Sequence, residues 1–107
     1  MSVLLEFSIF PTDRGESVSH EVSEVIRLIR DSGHDYELTA MGTLIETAEL
    51  HEALALVEQA YAVLQAQGCQ RVYSSIKLDI RSGKTGRMRQ KIASVEARIG
   101  KTRHIEP

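Results

Sequence analysis

In two segments of this sequence, residues 3–10 and 72–81, an apolar face alternates with a face that carries polar and charged side chains. Successive side chains of a β-strand point to opposite faces, so the second segment places Lys77 and Asp79 on one face. Glu6 occupies the polar face of the first segment. If the two segments form neighbouring strands, these groups meet in a cluster of carboxylates around an ammonium group. Such a cluster can contact a polar ligand, or its members can pair with one another.

A further carboxylate, Glu46, lies just past the abrupt junction Met41-Gly42. Two short apolar stretches meet there without the Asn-Gly or Pro-Asp residues that usually mark a turn. Glu46 joins the polar cluster if its neighbour Ile45 points toward the packed core. Two interpretations stay open. The cluster is a small-molecule site, because buried charges are costly unless paired, or it is a set of cross-strand ion pairs in a subunit interface.

The sequence Gly-Lys-Thr at residues 83–85 resembles part of a phosphate-binding loop. The complete pattern needs another glycine five residues before Gly83, and that position is Leu78. The basic residues between 81 and 91 have no aromatic side chains among them, so contact with nucleic acid is not expected. We interpret this stretch as a flexible segment that is solvated or contacts a subunit, and phosphate binding there stays an open alternative.

Metal ligands and a catalytic nucleophile are not indicated. The four histidines have no partner at a spacing typical of metal sites, and the single cysteine, Cys69, has no second cysteine nearby. No residue close to Cys69 in sequence marks a general base. The sequence therefore predicts no metal, no cofactor and no catalytic residue.

The elements that position these residues follow from hydrophobic periodicity. Segments with strand character cover residues 2–10, 36–40, 43–47 and 71–81. Apolar residues at helical spacing predict amphipathic helices with stripes over residues 18–29, 50–64 and 88–99. Ser17 and Thr47 are predicted to cap the first two helices.

The order strand-helix-strand occurs twice and predicts an α+β, ferredoxin-like βαββαβ sandwich. In this fold a four-stranded antiparallel sheet carries two helices on one face, and the C-terminal helix is an addition. Residues 1–100 form this single domain, and residues 101–107 form a tail that is expected to be frayed. The helix-free face carries Leu4, Phe10 and Tyr73, so we expect a second subunit, the C-terminal helix or both to cover it.

The composition is that of a soluble globular protein. The chain has 107 residues, of which 42% are hydrophobic and 26% charged, and its net charge of -2 gives no basic excess for nucleic acid. A single cysteine fits a reducing compartment. The sequence shows no charged-then-apolar leader and no apolar run of the roughly 18 residues that a membrane span needs. We therefore expect a cytoplasmic protein without nucleic-acid or membrane partners.

Two motifs, MGT-x-IE at residues 41–46 and VY-x-x-IK-x-D-x-R at residues 72–81, resemble those of the small thiamine-binding family of ferredoxin-like proteins. The resemblance covers nearly the full chain. It implies a homo-oligomer, commonly a tetramer built from dimers that pack sheet to sheet. It also implies binding of thiamine, or of its hydroxymethylpyrimidine part, near the sheets and without catalysis.

At the positions that match the two motifs, the resemblance implies four ligand contacts: Thr43, Glu46, Tyr73 and Lys77. Ser8 is added from strand geometry alone. A carboxylate such as Glu46 can pair with the pyrimidine edge, and Tyr73 can offer an aromatic face to a cationic ring. The sequence departs from the family at Ile80, where a second acidic residue is often found, so affinity or assembly can differ here.

The leading hypothesis is therefore noncatalytic binding of thiamine or hydroxymethylpyrimidine at a sheet or subunit interface, as a carrier, buffer or sensor. Two alternatives come from other classes of protein. One is a cofactor-free enzyme of the monooxygenase or isomerase type on a dimeric ferredoxin-like scaffold, which rests on fold analogy alone. The other is a purely structural or regulatory oligomeric module.

Overall fold

The computed structural model of the protein describes residues 1–104. The helices and strands within them are, in chain order, β1 (Ser2–Pro11), α1 (Ser19–Asp31), β2 (Asp35–Thr39), β3 (Gly42–Thr47), α2 (Leu50–Ala66), β4 (Val72–Arg81) and α3 (Arg87–Ile99). No helix among the described residues is long and apolar enough to cross a membrane. Residues 105–107 of the predicted frayed tail lie outside the described part of the chain.

The four strands form one sheet in the order β2-β3-β1-β4, and every neighbouring pair is antiparallel. With the element order βαββαβ, this sheet confirms the predicted α+β, ferredoxin-like fold. Strand β1 lies in the middle, because it pairs with β3 on one side and with β4 on the other. The chain therefore brings its first and last strands side by side, as the sequence pattern predicted.

The core lies between the sheet and the helices α1 and α2. Strand β1 contributes Val3, Leu5 and Phe7, and each of these side chains is at most 2% exposed. They share a face because alternate residues of a strand point the same way. The two helices supply most of the opposing side chains, which include Val25, Ile29, Ala53, Leu56, Ala60 and Leu64. Burying a large apolar side chain of this kind contributes roughly 1.5–3 kcal/mol.

The junction between β2 and β3 is a tight hairpin in which Thr39 pairs with Gly42. The Thr39 side chain closes the turn, since its hydroxyl donates to the carbonyl of Gly42 at 2.8 Å and accepts from the N–H of Met41 at 3.2 Å. Gly42 has a φ of +153°, and a Cβ at this position would lie 3.1 Å from the carbonyl oxygen of Phe7. A side-chain hydrogen bond and the absence of a Cβ thus replace the usual turn residues.

Both predicted helix caps were wrong. Val18 precedes the first residue of α1 and forms no side-chain cap, so Ser17 is not the cap. Helix α2 is capped by Glu49, which forms a capping box with Glu52. The hydroxyl of Thr47 instead donates to the carbonyl of Glu49 at 2.9 Å, which fixes the approach of the chain to the helix.

Strand β4 forms one edge of the sheet. Its apolar residues lie opposite the core residues of β1, with Ile80 across from Val3 and Leu78 across from Leu5. They therefore point to the helix side, as predicted. They are nevertheless incompletely covered, with exposed fractions of 47% for Ile76, 37% for Leu78 and 48% for Ile80.

Candidate functional site

A cavity of about 480 Å³ lies between α1 and the β2–β3 hairpin, on the helix side of the sheet. Its walls are mostly apolar side chains. The lining residues are Phe7, Ser8, Ile9, Phe10, Val18, Val22, Val25, Ile26, Ile29, Leu38, Thr39, Ala40, Met41, Gly42 and Thr43. The tight hairpin forms one wall, and the broad apolar stripe of α1 forms the other, because α1 carries more apolar surface than the core takes up.

Thr43 is the polar group most deeply placed in this cavity. It lies on β3 opposite Phe7 and is 2% exposed. Its hydroxyl has no hydrogen-bond partner among residues 1–104. The hydroxyl oxygen is not among the fully buried polar atoms without a partner, so it is open to the cavity, where a ligand group that donates to it or accepts from it can form a hydrogen bond.

The cavity contains no group that can transfer a proton near neutral pH. None of the lining residues is an aspartate, glutamate, histidine, lysine, cysteine or tyrosine. In the part of the chain that the structure covers, no group of three or more histidine, cysteine, aspartate or glutamate residues is placed to hold a metal ion. The arrangement is suited to holding a flat, largely apolar ring with a few polar atoms.

Glu46 lies on the opposite face of the sheet, where it binds the start of α3. Its carboxylate accepts hydrogen bonds from the hydroxyl of Ser2 at 2.6 Å and from the backbone N–H groups of Arg87 at 3.1 Å and Met88 at 3.2 Å. The first N–H groups of a helix have no partner within the helix and carry partial positive charge. Glu46 therefore anchors α3 to the sheet.

The side chain of Arg87 completes this anchor. Its guanidinium donates to the hydroxyl of Ser2 at 3.0 Å and to the carbonyl oxygens of Ser2 and Asp79 at 2.9 and 2.6 Å. It also lies 3.0 Å from the carboxylate of Asp79. Burial raises the pKa of Glu46, but the hydrogen bonds from Ser2 and α3 and the charge of Arg87 outweigh it, so this pKa lies below its ordinary value of 4.5.

Tyr73 and Lys77 are also on the helix-free face, and both are exposed. Tyr73 is 62% exposed and packs against Phe10 with ring centroids 5.8 Å apart. The amino group of Lys77 lies 3.6 Å from the carboxylate of Glu6, as the cross-strand interpretation predicted. This exposed ion pair contributes little to stability.

The structure thus separates the five predicted ligand contacts. Glu46, Tyr73 and Lys77 lie on the helix-free face, and Thr43 lies on the helix side, so Thr43 and Glu46 do not flank one pocket. Ser8 belongs to the helix-free face by its register opposite Ser75, and it also borders the cavity. The role of each residue as a ligand contact stays a prediction.

The chain is similar to known proteins over most of its length. A family model described as thiamine-binding protein matches residues 5–96. The chain belongs to this thiamine-binding protein family. It is 44% identical over 96 residues to a UPF0045 protein of Mycobacterium bovis, covering 90% of this chain and 93% of the relative. It is 33% identical over 99 residues to a UPF0045 protein of Methanothermobacter thermautotrophicus, covering 91% and 99%.

Solved structures of similar proteins have the same fold. A hypothetical protein from Methanocaldococcus jannaschii superposes with a TM-score of 0.77 at 32% identity, covering 88% of this chain and 95% of that one. A protein from Thermotoga maritima, of proposed function in thiamine biosynthesis or salvage, gives a TM-score of 0.76 at 19% identity, covering 89% and 99%. At 19% identity, the similarity to the Thermotoga maritima protein supports the fold alone. Family membership gives the protein a thiamine-related role.

The wall of the cavity formed by α1 was missed by sequence reasoning. Val22 and Ile26 were assigned to the core stripe of the helix, and the structure leaves both only partly buried beside the cavity. Their side chains have the size and spacing of core residues. The sequence holds no signal that distinguishes them, because the gap depends on how closely α1 approaches the hairpin.

Proposed function

We propose that the protein binds thiamine, or its hydroxymethylpyrimidine part, in the cavity between α1 and the β2–β3 hairpin, and releases it unchanged. The observation that carries this proposal is the hydroxyl of Thr43, which lines a mostly apolar cavity and has no hydrogen-bond partner among residues 1–104. The cavity volume of about 480 Å³ falls within the range of about 300–1,000 Å³ that is typical of small-molecule sites. The family supplies the class of ligand.

The pyrimidine part of thiamine matches the chemistry of this cavity. An aminopyrimidine is flat, is neutral near pH 7, and carries a donor and an acceptor side by side on its edge. The apolar walls pack against the ring faces, and the hydroxyl of Thr43 both donates and accepts. The thiazolium ring is permanently cationic, and no acidic side chain lines the cavity. Burying an unpaired charge is costly, so this ring stays at the opening and the pyrimidine enters.

The absence of a titratable lining residue supports binding over turnover. Monooxygenase or isomerase chemistry without a cofactor needs a proton-transfer group within hydrogen-bond reach of the reacting atom. The carboxylates and the tyrosine on the helix-free face of the sheet, Glu6, Glu46, Asp79 and Tyr73, are not among the lining residues. We therefore propose a carrier, buffer or sensor, with no catalytic residue.

Isothermal titration calorimetry with thiamine and with hydroxymethylpyrimidine tests the proposal. Thr43→Val keeps the shape of the side chain and removes the hydroxyl, and we expect the dissociation constant for both ligands to rise about two- to tenfold, which is the value of one hydrogen bond. Thr47→Val is the matched control, because Thr47 lies on the same strand, is equally buried and does not line the cavity.

Three results would overturn this assignment. If the folded protein gives no heat with millimolar ligand, thiamine and hydroxymethylpyrimidine are ruled out as its ligands. If the parent and Thr43→Val bind with equal affinity, the hydroxyl of Thr43 does not contact the ligand. Chemical conversion of the ligand after prolonged incubation, measured by chromatography, removes the noncatalytic role.

The predicted contacts on the helix-free face are tested by the same titrations. Tyr73→Ala and Lys77→Ala change exposed side chains that do not line the cavity, so a cavity site predicts affinities within about twofold of the parent. A large loss of ligand affinity in either variant would place the binding site on the helix-free face instead. We retain the homo-oligomer implied by the resemblance as part of the proposal, with dimers that pack through this face.

A further inference from the structure

A groove of about 450 Å³ lies along the outer side of α1, next to the cavity. Val22, Ile26 and Leu38 line both the cavity and the groove, so the two spaces are contiguous. The other residues that line the groove are two serines and two arginines, and none of its lining residues is acidic. The apolar cavity therefore continues into a polar space with positive charge.

The positive charge of the groove comes from Arg27 and Arg30. These residues are three apart on α1, a spacing at which side chains on a helix are neighbours. Their side chains are 60% and 57% exposed, so an anion can approach both from solvent. Two like charges at this spacing repel each other, and an anion bound between them removes the repulsion.

Both arginines keep hydrogen-bond donors that the protein does not use. Arg27 lies 3.4 Å from Glu24 and Arg30 lies 2.9 Å from Asp31, in each case through Nε, and neither acid lines the groove. A guanidinium group has five N–H donors. Arg27 uses one terminal nitrogen as well, at 3.5 Å from Glu24, and the other terminal nitrogens have no hydrogen-bond partner among residues 1–104.

A phosphate monoester has the chemistry that two neighbouring arginines recognise. It carries a charge of about −1.5 to −2 near pH 7 and has three strong acceptor oxygens. The planar guanidinium group forms two parallel, charge-assisted hydrogen bonds with such a phosphate. The groove is therefore suited to a phosphate that is attached to a ring in the cavity.

The cavity and the groove are close enough to hold the two parts of one small ligand. Leu38, which lines the groove, pairs with Thr43 across the β2–β3 ladder, and neighbouring strands are about 4.8 Å apart. A ring that contacts the hydroxyl of Thr43 thus lies one strand away from the groove. A phosphate on the hydroxymethyl arm of the ring can extend toward the arginines.

We propose that Arg27 and Arg30 bind the phosphate of a phosphorylated ligand, so that the protein takes a pyrimidine phosphate monoester in preference to the free alcohol. This inference rests on the proposed function, because it places the ring in the same cavity. Hydroxymethylpyrimidine monophosphate and thiamine monophosphate share the required group. The first is favoured, since it brings no cationic ring near the two guanidinium groups.

Isothermal titration calorimetry of hydroxymethylpyrimidine and its monophosphate tests the groove. In a low-salt buffer, we expect the parent to bind the monophosphate at least about tenfold more tightly than the alcohol. In the double variant Arg27→Gln/Arg30→Gln, this ratio is expected to fall to within about threefold. Arg98→Gln is the matched control, because Arg98 is an exposed arginine in the last turn of α3 and lines neither space.

Thiamine and thiamine monophosphate form the second pair of ligands. We expect the phosphate to increase the affinity for thiamine less than the affinity for hydroxymethylpyrimidine. A larger gain for thiamine monophosphate, lost in the double variant, supports the phosphate site and overturns the choice of the shorter ester.

Phosphorus NMR gives a readout that does not depend on affinity. Two guanidinium groups favour the dianion, so the second pKa of the phosphate, about 6 in a free monoester, is expected to fall in the complex with the parent. In the complex with the double variant, this pKa is expected to return toward the free value.

The outcomes separate this inference from the proposed function. Equal affinities of the parent for hydroxymethylpyrimidine and its monophosphate overturn the phosphate site and leave the cavity assignment intact. A preference for the monophosphate that persists in the double variant, or that disappears in Arg98→Gln, places the phosphate elsewhere and also overturns the site. If neither ligand binds the folded protein, the proposed function fails and this inference fails with it.

Discussion

Replacing Glu46 by Gln tests whether this carboxylate holds α3 on the sheet. Glu46 accepts hydrogen bonds from Ser2 and from two backbone N–H groups at the start of α3, and the carboxylate also faces the positive end of the helix. Glutamine keeps one acceptor oxygen, replaces the other by a donor that faces donors, and removes the charge. We therefore expect the substitution to weaken docking of α3 more than it affects the core.

The magnitude follows from the contacts. A hydrogen bond to a charged group contributes about 1.5–3 kcal/mol, and a charge at a helix N-terminus contributes about 0.3–1 kcal/mol. Because Glu46 is partly exposed, we take the low end of this sum, about 2 kcal/mol. Helix α3 makes its main contacts with β1 and β3, and its side chains Arg87 and Arg89 reach Asp79 and Asp35. It packs far less extensively than α1 and α2, so the loss appears first as local undocking.

Native-state hydrogen exchange measures this loss directly. A change of about 2 kcal/mol corresponds to roughly 30-fold faster exchange, expected for the amides of α3 and not for those of α2. Glu37→Gln is the matched control, since Glu37 is a partly exposed carboxylate on the neighbouring strand and makes no side-chain hydrogen bond or ion pair to residues 1–104. Exchange in α3 that stays within threefold of the parent would refute the role of Glu46 as the anchor.

Three further predictions concern acid stability, the hairpin and the cavity. Because the pKa of Glu46 is lowered in the folded protein, its contribution to the docking of α3 is fully present above its ordinary pKa of 4.5 and is lost as the pH falls through the lowered value. Hydrogen exchange of the α3 amides should therefore accelerate in that pH window in the parent and not in Glu46→Gln. Gly42→Ala adds a Cβ 3.1 Å from the carbonyl oxygen of Phe7 at a φ of +153°, so we expect urea unfolding to show a free energy of unfolding lower by about 1–3 kcal/mol. A decrease of less than about 0.5 kcal/mol would show that the hairpin adjusts to the added Cβ without strain. Val22→Phe fills part of the cavity from α1 and should weaken thiamine binding at least tenfold while preserving the circular dichroism spectrum; unchanged affinity would place the ligand elsewhere.

The fold was predictable because its signals are local. The alternation of Val3, Leu5 and Phe7 with polar residues identifies a half-buried strand without knowledge of its neighbours, and the helical stripes do the same for the helices. The repeated strand-helix-strand order then leaves few topologies. The helix caps were less predictable, because the approach of the chain decides where each helix begins: Val18 and not Ser17 precedes α1, and Glu49 and not Thr47 caps α2.

The candidate site was predictable only in part. The residues TLIE already place Thr43 and Glu46 on opposite faces, since they are three apart in one strand, and the shared motif obscured this. The role of Glu46 depends on the path of the loop after β4, which brings Arg87 back to Ser2 from a sequence separation of 85 residues. Pattern reasoning has no access to such a path. The cavity is a gap in packing, and a gap leaves no mark in the sequence.

The central position of β1 has a consequence for how fast the protein reaches its native state. Val3 pairs with Thr47 on one side and with Ile80 on the other, so the middle of the sheet forms only when distant parts of the chain meet. Chain closure over such separations slows the search, and mixed α/β domains of this kind fold more slowly than helical bundles of equal size. Until β4 arrives, one side of β1 stays open, and newly made chains at high concentration are most exposed to mispairing during that interval.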